Sequence, residues 1–329
     1  MALNAGVKMS SVNVEKNPKT PRKLALRRVL LMKGGPDRSE PIRDLARELN
    51  DLGVNVKVIN QISKLNVPAW LYFAWRSEVV VFVRYHNGDG TFLRRQLYRA
   101  RMLDCAVVRW WVGSDVLYSS KSDKTVRVAK AIDEFIDLNI AVSPHLVTEL
   151  REIGIEAEYV PSFCKINSDL NDTPSSLPRG VLTYLPTERR TFYGEDMVIA
   201  AIEANPDLQF FIIADESHSL NHYPNVTSLG WVEDMREVWA QIGMLLRVTK
   251  HDGMPRMVLE ALARRRYVIY SEIFEGCWFA RSTEQVLQHL ETFRTLEKPN
   301  NTGTAVIDSS INAATEYADK LAKLLKSPS

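Results

Sequence analysis

The sequence predicts an α/β protein built from two doubly wound parallel sheets in succession. Three observations lead there. From Arg28 onward, short runs rich in β-branched residues alternate with longer stretches of helical period, the pattern of strands joined by crossover helices. The alternation stops in a Pro-, Ser-, Asn- and Asp-rich stretch and then begins again. At 329 residues, 45% hydrophobic and 25% charged, the chain is long enough to bury a core in each half.

In the first half, Arg28–Met32 reads as a strand, followed by the turn Lys33-Gly34-Gly35-Pro36. A helix from Glu40 to Leu52 follows, with Ile42, Leu45, Ala46 and Leu49 on one face and Gly53 as its stop. Val54–Ile59 alternates as a second strand, and Val79–Arg84 is apolar almost throughout, as a strand buried on both faces must be. Between them, Trp70-Leu71-Tyr72-Phe73-Ala74-Trp75 reads as a buried helix face. The loop His86-Asn87-Gly88-Asp89-Gly90 leads into a helix through Leu103, and Cys105–Trp111 is a fourth strand. It ends in Val112-Gly113-Ser114-Asp115. Helices at Thr125–Leu138 and Pro144–Ile153 flank a short strand, Ile140–Val142.

Between Val160 and Pro178 no apolar period survives, which marks a linker. The second half places strands at Gly180–Tyr184, Leu208–Ala214, Val226–Leu229, Met244–Val248 and Tyr267–Tyr270. Its helices are Gly194–Asn205, Asp234–Ile242, Pro255–Arg266 and Thr283–Phe293, with a last one from Ile311 to Leu325 capped by Ser310. The expected division is a basic tail over 1–27, an N-terminal domain over 28–160, a linker over 161–178, a C-terminal domain over 179–309 and a final helix and tail over 310–329.

Charge is unevenly spread. Lys8, Lys16, Lys19, Arg22, Lys23, Arg27 and Arg28 stand against Glu15 alone, a local +6 that leaves −4 for the remaining 301 residues. The tail is expected to be disordered, with contact to an anionic membrane surface as its sharper reading. The acidic remainder argues against nucleic acid as a partner. Cys105, Cys164 and Cys277 are too few and scattered for a disulfide framework or zinc knuckle. A reducing, cytoplasmic setting follows. No apolar run approaches the ~18–20 residues that span a bilayer, and no phosphate-binding P-loop, G-x-S-x-G or H-E-x-x-H motif is present.

The most informative stretch is Met244–Tyr270. A buried strand delivers the polar loop Thr249-Lys250-His251-Asp252-Gly253, and Pro255 stands at the expected first helical position, where its missing N–H costs nothing. Glu260 falls in the second turn, and Arg264-Arg265-Arg266 suits a helix C-terminus. Such a loop lies at the carboxyl edge of the sheet, where open α/β sheets bind ligands. Free N–H groups and the helix dipole there favour an anion such as a diphosphate. Gly253 lets backbone approach it closely.

The stretch Asp252-Gly253-Met254-Pro255-Arg256-Met257-Val258-Leu259-Glu260-Ala261-Leu262-Ala263 resembles the hallmark of the family 4 retaining glycosyltransferases: an acid, seven residues, then Glu-Ala. Their fold is GT-B, two Rossmann-like domains facing across a cleft. The resemblance implies that Asp252, here in place of the usual Glu, lies near the sugar and that Glu260 holds the ribose hydroxyls. His251 and Met254 belong to the same donor loop. Gly230-Trp231 stands where the family meets the nucleotide base. Arg189-Arg190 and Gly194 stand where it places an Arg and then Lys-Gly around the diphosphate, with Tyr193 at the Lys position. That leaves phosphate neutralisation to Arg189 or Arg190, with Lys250 as a further cation. Gly34 and Gly35 resemble the family's glycine-rich turn near the donor. Trp110-Trp111-Val112-Gly113-Ser114-Asp115 resembles its H-G-x-D element, making Asp115 a candidate catalytic or acceptor-contacting residue. His86, Trp110, Trp111 and Ser114 are then expected on the acceptor side. Ser143-Pro144-His145 matches a strand-to-helix step.

The implied activity is retaining transfer of a sugar from a nucleoside diphosphate donor to a glycan or lipid-linked acceptor, with neither cofactor nor metal. Two alternatives stand beside it: a sugar-nucleotide epimerase or phosphorylase on the same fold, and a non-catalytic nucleotide- or glycan-binding protein.

Overall fold

The structure is a computed structural model and describes residues 26–33, 41–60, 66–83, 90–162, 176–303 and 312–325. Two six-stranded sheets with all pairings parallel form the scaffold. The first holds β1 (Arg28–Lys33), β2 (Asn55–Asn60), β3 (Val79–Val83), β4 (Ala106–Trp111), β5 (Leu138–Ala141) and β6 (Glu158–Tyr159), in the order β2-β1-β3-β4-β5-β6. The second holds β7 (Gly180–Tyr184), β8 (Phe210–Ile213), β9 (Val226–Gly230), β10 (Ile242–Arg247), β11 (Tyr267–Tyr270) and β12 (Trp278–Phe279), in the order β12-β11-β10-β7-β8-β9. In that second sheet the strand order reverses between β7 and β10. A crevice opens at such a switch point, at the carboxyl ends of the two strands.

Burial explains the strand sequences. All of β3 and all of β10 are buried, because helices cover both faces of a parallel sheet. On the first sheet, α2 (Val67–Trp75), α3 (Thr91–Met102) and α5 (Asp123–Asp133) share one apolar cluster with the inward residues of β1 and β3. The aromatic stretch in α2 is amphipathic: Trp70 and Ala74, one turn apart, are buried, while Tyr72 and Trp75 are exposed. On the opposite face, α1 (Pro41–Asp51) packs with the last helix, α11 (Ala313–Leu324). On the second sheet, α7 (Glu195–Ala204) and α10 (Thr283–Thr295) cover one face. The other is covered by α8 (Arg236–Gln241) and α9 (Arg256–Ala263). Helix α11 crosses from the second half back to the first. There Tyr317 meets Trp110 edge-on at 5.9 Å, and Lys320 pairs with Glu158.

Several local expectations change. A helix α4 (Ser114–Ser120) follows β4 directly, and α5 starts two residues early because Ser122 and Thr125 form a reciprocal capping box. It ends at Asp133, short of Leu138, which opens β5. The strands β6 and β12 are two-residue edge pieces too short to show a period. Pro255 caps α9 from outside, with extended backbone, so the helix begins at Arg256. It stops at Ala263, and the arginine run does more than complement its dipole: Arg266 is buried and donates from Nη2 to the Trp239 carbonyl at 3.0 Å. Helix α6 (Pro144–Glu152) starts at its expected proline behind Ser143. The tail up to residue 25, Gly34, Gly35, His86, Cys164, linker residues 163–175 and Ser310 lie outside the described residues.

Candidate active site between the two sheets

The loop after β10 and the loop after β4 meet backbone to backbone. Gly113, at φ +133°, lies so close to Gly253 that a Cβ on it would stand 2.6 Å from the Gly253 nitrogen. A Cβ on Gly253 would stand 2.1 Å from the Val112 carbonyl oxygen. Both positions are held to glycine by this approach. The Tyr270 hydroxyl, on a buried side chain of β11, donates to the Gly253 carbonyl at 2.8 Å and fixes the loop from behind.

Asp252 lies beside this contact. Its Oδ2 accepts from Arg247 Nε at 3.0 Å and Nη2 at 2.7 Å, and its Oδ1 accepts from the Gly253 N–H at 3.0 Å. Arg247 is the last residue of β10. Burial works against its charge, but the Asp252 carboxylate more than offsets that and raises its pKa. Its guanidinium carbon sits 5.1 Å from the ring centroids of both Tyr184 and Tyr193.

Two histidines join the halves at the same loop. His145, near the start of α6, donates from Nε2 to the Asp252 carbonyl at 2.9 Å. His251 Nε2 pairs with Glu149 of α6 at 2.8 Å. Burial would lower the His251 pKa, but the Glu149 hydrogen bond and charge outweigh it and raise the value. A third bridge runs from Arg256 on α9 to Asp44 on α1 at 3.2 Å.

The loop after β7 separates the two expected arginines. Arg190 is committed: its Nε donates to Glu195 at 2.5 Å, and its Nη1 donates to Asp215 at 2.9 Å. Asp215 is fully buried and also accepts from Ser217 at 2.6 Å and Ser228 at 3.1 Å. Burial opposes its charge, but these donors and Arg190 hold its pKa below the ordinary value. Arg189 is exposed, in left-handed conformation at φ +68°, with its guanidinium carbon 4.3 Å from the Phe192 ring centroid. Gly194 is wedged under β10's loop; a Cβ there would stand 2.2 Å from the Val248 carbonyl. Lys250 is exposed, and its backbone N–H donates to the Phe192 carbonyl at 2.9 Å, tying this loop to that after β10.

On α9, Glu260 accepts from Arg256 Nε at 2.7 Å, a half-exposed i,i+4 pair. Met254 is buried in the core shared by the two halves. Trp231, just past β9, is 66% exposed.

The acceptor-side expectations need correction. Trp110 is buried against Tyr317 and Trp111 is buried with its indole N–H donating to Asn139 at 3.0 Å, so both serve the core rather than the cleft. Asp115 is 1% exposed. Its carboxylate accepts from the backbone N–H groups of Val112, Gly113 and Val116 at 2.8–3.2 Å, which makes it the clamp of the Gly113 loop. Its placement there does not present a carboxylate to an acceptor. Ser114 is half-buried at the first position of α4.

Sequence reasoning passed over Arg247, Glu149 and the interdomain role of His145. An arginine ending an otherwise apolar strand was the available signal for the first. Among the described residues no three His, Cys, Asp or Glu side chains gather as a metal site, and no helix is long and apolar enough to cross a membrane.

No protein-family model and no curated protein matches the sequence. Solved structures do match in fold. HepE from Anabaena, solved in complex with UDP-glucose, is 13% identical with a TM-score of 0.62, covering 92% of this chain and 100% of that one. Sucrose-phosphate synthase from Thermosynechococcus elongatus is 13% identical with a TM-score of 0.56, covering 91% and 97%. The GtfA/B complex is 10% identical with a TM-score of 0.52, covering 78% and 60%. At these identities the likeness establishes the fold: two Rossmann-like domains facing one another in the GT-B arrangement, as the sequence predicts.

Proposed function

We propose that this protein is a retaining glycosyltransferase that takes a nucleoside diphosphate sugar at the carboxyl edge of its second sheet. It transfers the sugar to a glycan or lipid-linked acceptor held by the first half. One observation carries the reading. The Asp252-to-Glu260 stretch, which resembles the donor motif of family 4 retaining glycosyltransferases, stands at the β7/β10 switch point and touches the opposing half through Gly253 and the Asp252 carbonyl. The fold shared with a structure that holds UDP-glucose supports it.

In this reading the diphosphate lies across the first turn of α9 and the loop after β7. Arg189 and backbone N–H groups, preorganised before the donor arrives, stabilise the charge that grows on the departing diphosphate. Glu260 exchanges its exposed Arg256 partner for the ribose hydroxyls, a cheap exchange because such a surface pair is worth only about 0.3–0.5 kcal/mol. Trp231 offers a face to the base. The donor is a substrate, and no cofactor is assigned. A lipid-linked acceptor places the enzyme at the cytoplasmic membrane surface, with the basic tail as its contact.

Incubation with UDP-, GDP- and ADP-sugars tests this. Release of free nucleoside diphosphate, with a product that keeps the donor's anomeric configuration by NMR, is the expected result. Thermal stabilisation without turnover would instead establish a binding module.

A further inference from the structure

Arg247 and Asp252 form a largely enclosed charged pair at the site, their side chains 10% and 20% exposed. The placement is unusual. Five of the six residues of β10 are Ile242, Gly243, Met244, Leu245 and Leu246, and a cation closes the strand at the switch crevice. A guanidinium so placed is costly without a partner, and the partner it has is incomplete. Both of its hydrogen bonds, from Nε and Nη2, go to the single oxygen Oδ2 of Asp252. Nη1 has no acceptor among the described residues.

The surroundings orient the group. Tyr184, ending β7, and Tyr193, from the short 3-10 turn before α7, stand on it at equal distance. The Arg189 guanidinium carbon also lies 5.9 Å from the Tyr193 ring centroid, so two guanidinium groups converge on that tyrosine at the crevice. Meanwhile Arg190 is tied between Glu195 and Asp215. The position where the resembled family carries lysine is Tyr193, whose ring lies against Arg247. Of the loop after β7, Arg189 alone remains for a diphosphate of about two negative charges.

We propose that Arg247 is the second cation of the donor diphosphate site and that Asp252 holds it in reserve. When the donor enters, the guanidinium passes from the Asp252 carboxylate to the diphosphate oxygens. The exchange releases that carboxylate, so the residue expected beside the sugar becomes available only once a diphosphate is present. A monophosphate, with fewer oxygens and less charge, drives the exchange weakly. The inference rests on the glycosyltransferase reading and adds to it a residue and an order of events.

Calorimetric titration of the full chain with UDP, GDP and ADP, and with the monophosphate of whichever binds, tests it. Arg247→Gln is expected to weaken diphosphate binding about tenfold to a hundredfold, the range for losing a charge-assisted hydrogen bond, and monophosphate binding by much less. Asp252→Asn is expected to bind the diphosphate several-fold more tightly than wild type while losing turnover, because the competing carboxylate is gone. That gain should vanish in Arg247→Gln/Asp252→Asn, which also leaves no unpaired charge should Arg247→Gln alone fail to fold. Unchanged diphosphate affinity in Asp252→Asn, or equal losses for mono- and diphosphate in an arginine variant, overturns the proposal and leaves the glycosyltransferase reading standing. A wild-type protein that binds none of the three diphosphates overturns both.

Discussion

Gly113 and Gly253 bring the two halves together backbone to backbone, with no room for a Cβ on either. One ends the loop after the central strand of the first sheet and the other opens the turn into α9. Replacing either with Ala puts a methyl group into opposing backbone, which cannot swing aside as a side-chain tip can. Overpacking of this kind costs about 1–3 kcal/mol. Gly253→Ala should therefore lower stability in urea by that amount and enlarge the radius of gyration in solution scattering. A variant with wild-type stability and dimensions would show that the seam is slack.

The two arginines after β7 should separate in mutagenesis. Arg190→Ala strands the buried Asp215 carboxylate without its cation and should cost about 1–3 kcal/mol of stability. Arg189→Ala removes an exposed side chain and should leave the melting temperature nearly unchanged. Its turnover should fall about 10²–10³-fold, the usual penalty for removing one preorganised donor at a leaving group. Equal effects of the two on melting would contradict the assignment.

Glu260→Gln should weaken nucleoside diphosphate binding by roughly 1.5–3 kcal/mol if its carboxylate takes the ribose hydroxyls. A 2′,3′-dideoxy analogue should erase the difference between the two proteins. A folded variant with wild-type affinity removes Glu260 from the site.

The His251–Glu149 pair gives the attachment of the halves a pH dependence. The folded pKa of His251 is raised above its ordinary 6.5, with burial opposing and Glu149 prevailing. Its contribution is therefore fully present below about pH 6.5 and is lost as pH rises through the folded value. The stability difference between wild type and Glu149→Gln, measured by denaturation across that range, should shrink toward alkaline pH. A difference that grows instead would reverse the sign and refute the pairing.

Deletion of residues 1–24 should leave nucleotide binding intact and reduce sedimentation with anionic liposomes. A local charge of +6 over residues 1–28 supplies roughly 1 kcal/mol per basic residue near such a surface, fading over a Debye length of about 8 Å. High salt should mimic the deletion. Full-length protein that ignores anionic liposomes at low salt makes a soluble acceptor the better assignment.

Much of the fold was legible because its strands are buried on both faces, which leaves apolar runs such as Val79–Val83 that no surface element would carry. Two-residue strands at sheet edges carry no such mark. In the site, the Asp252–Glu260 spacing is local in sequence and could be read directly. The pairings of His251 with Glu149 and of His145 with Asp252 span 102 and 107 positions, and no one-dimensional pattern reports them. Trp110 and Trp111 misled for a related reason. Aromatic pairs at a strand end look alike whether they face a ligand or a helix, and here the covering helix comes from the far end of the chain. Asp115 resembled a reactive acid because residues that clamp a tight loop and residues that touch substrate are drawn from the same short list.

The return of α11 to the first sheet bears on how the protein is made. The second half contains its own sheet and both helical layers, while the first lacks the cover over Trp110 until residues 313–324 arrive. During synthesis the first half is therefore completed only after the second half has been made. A chain that lacks residues 313–324 shows apolar surface on the first half where Tyr317 and Leu321 belong. Loss of residues 313–324 thus acts as a lesion of the first half, far in sequence from the surface it would uncover.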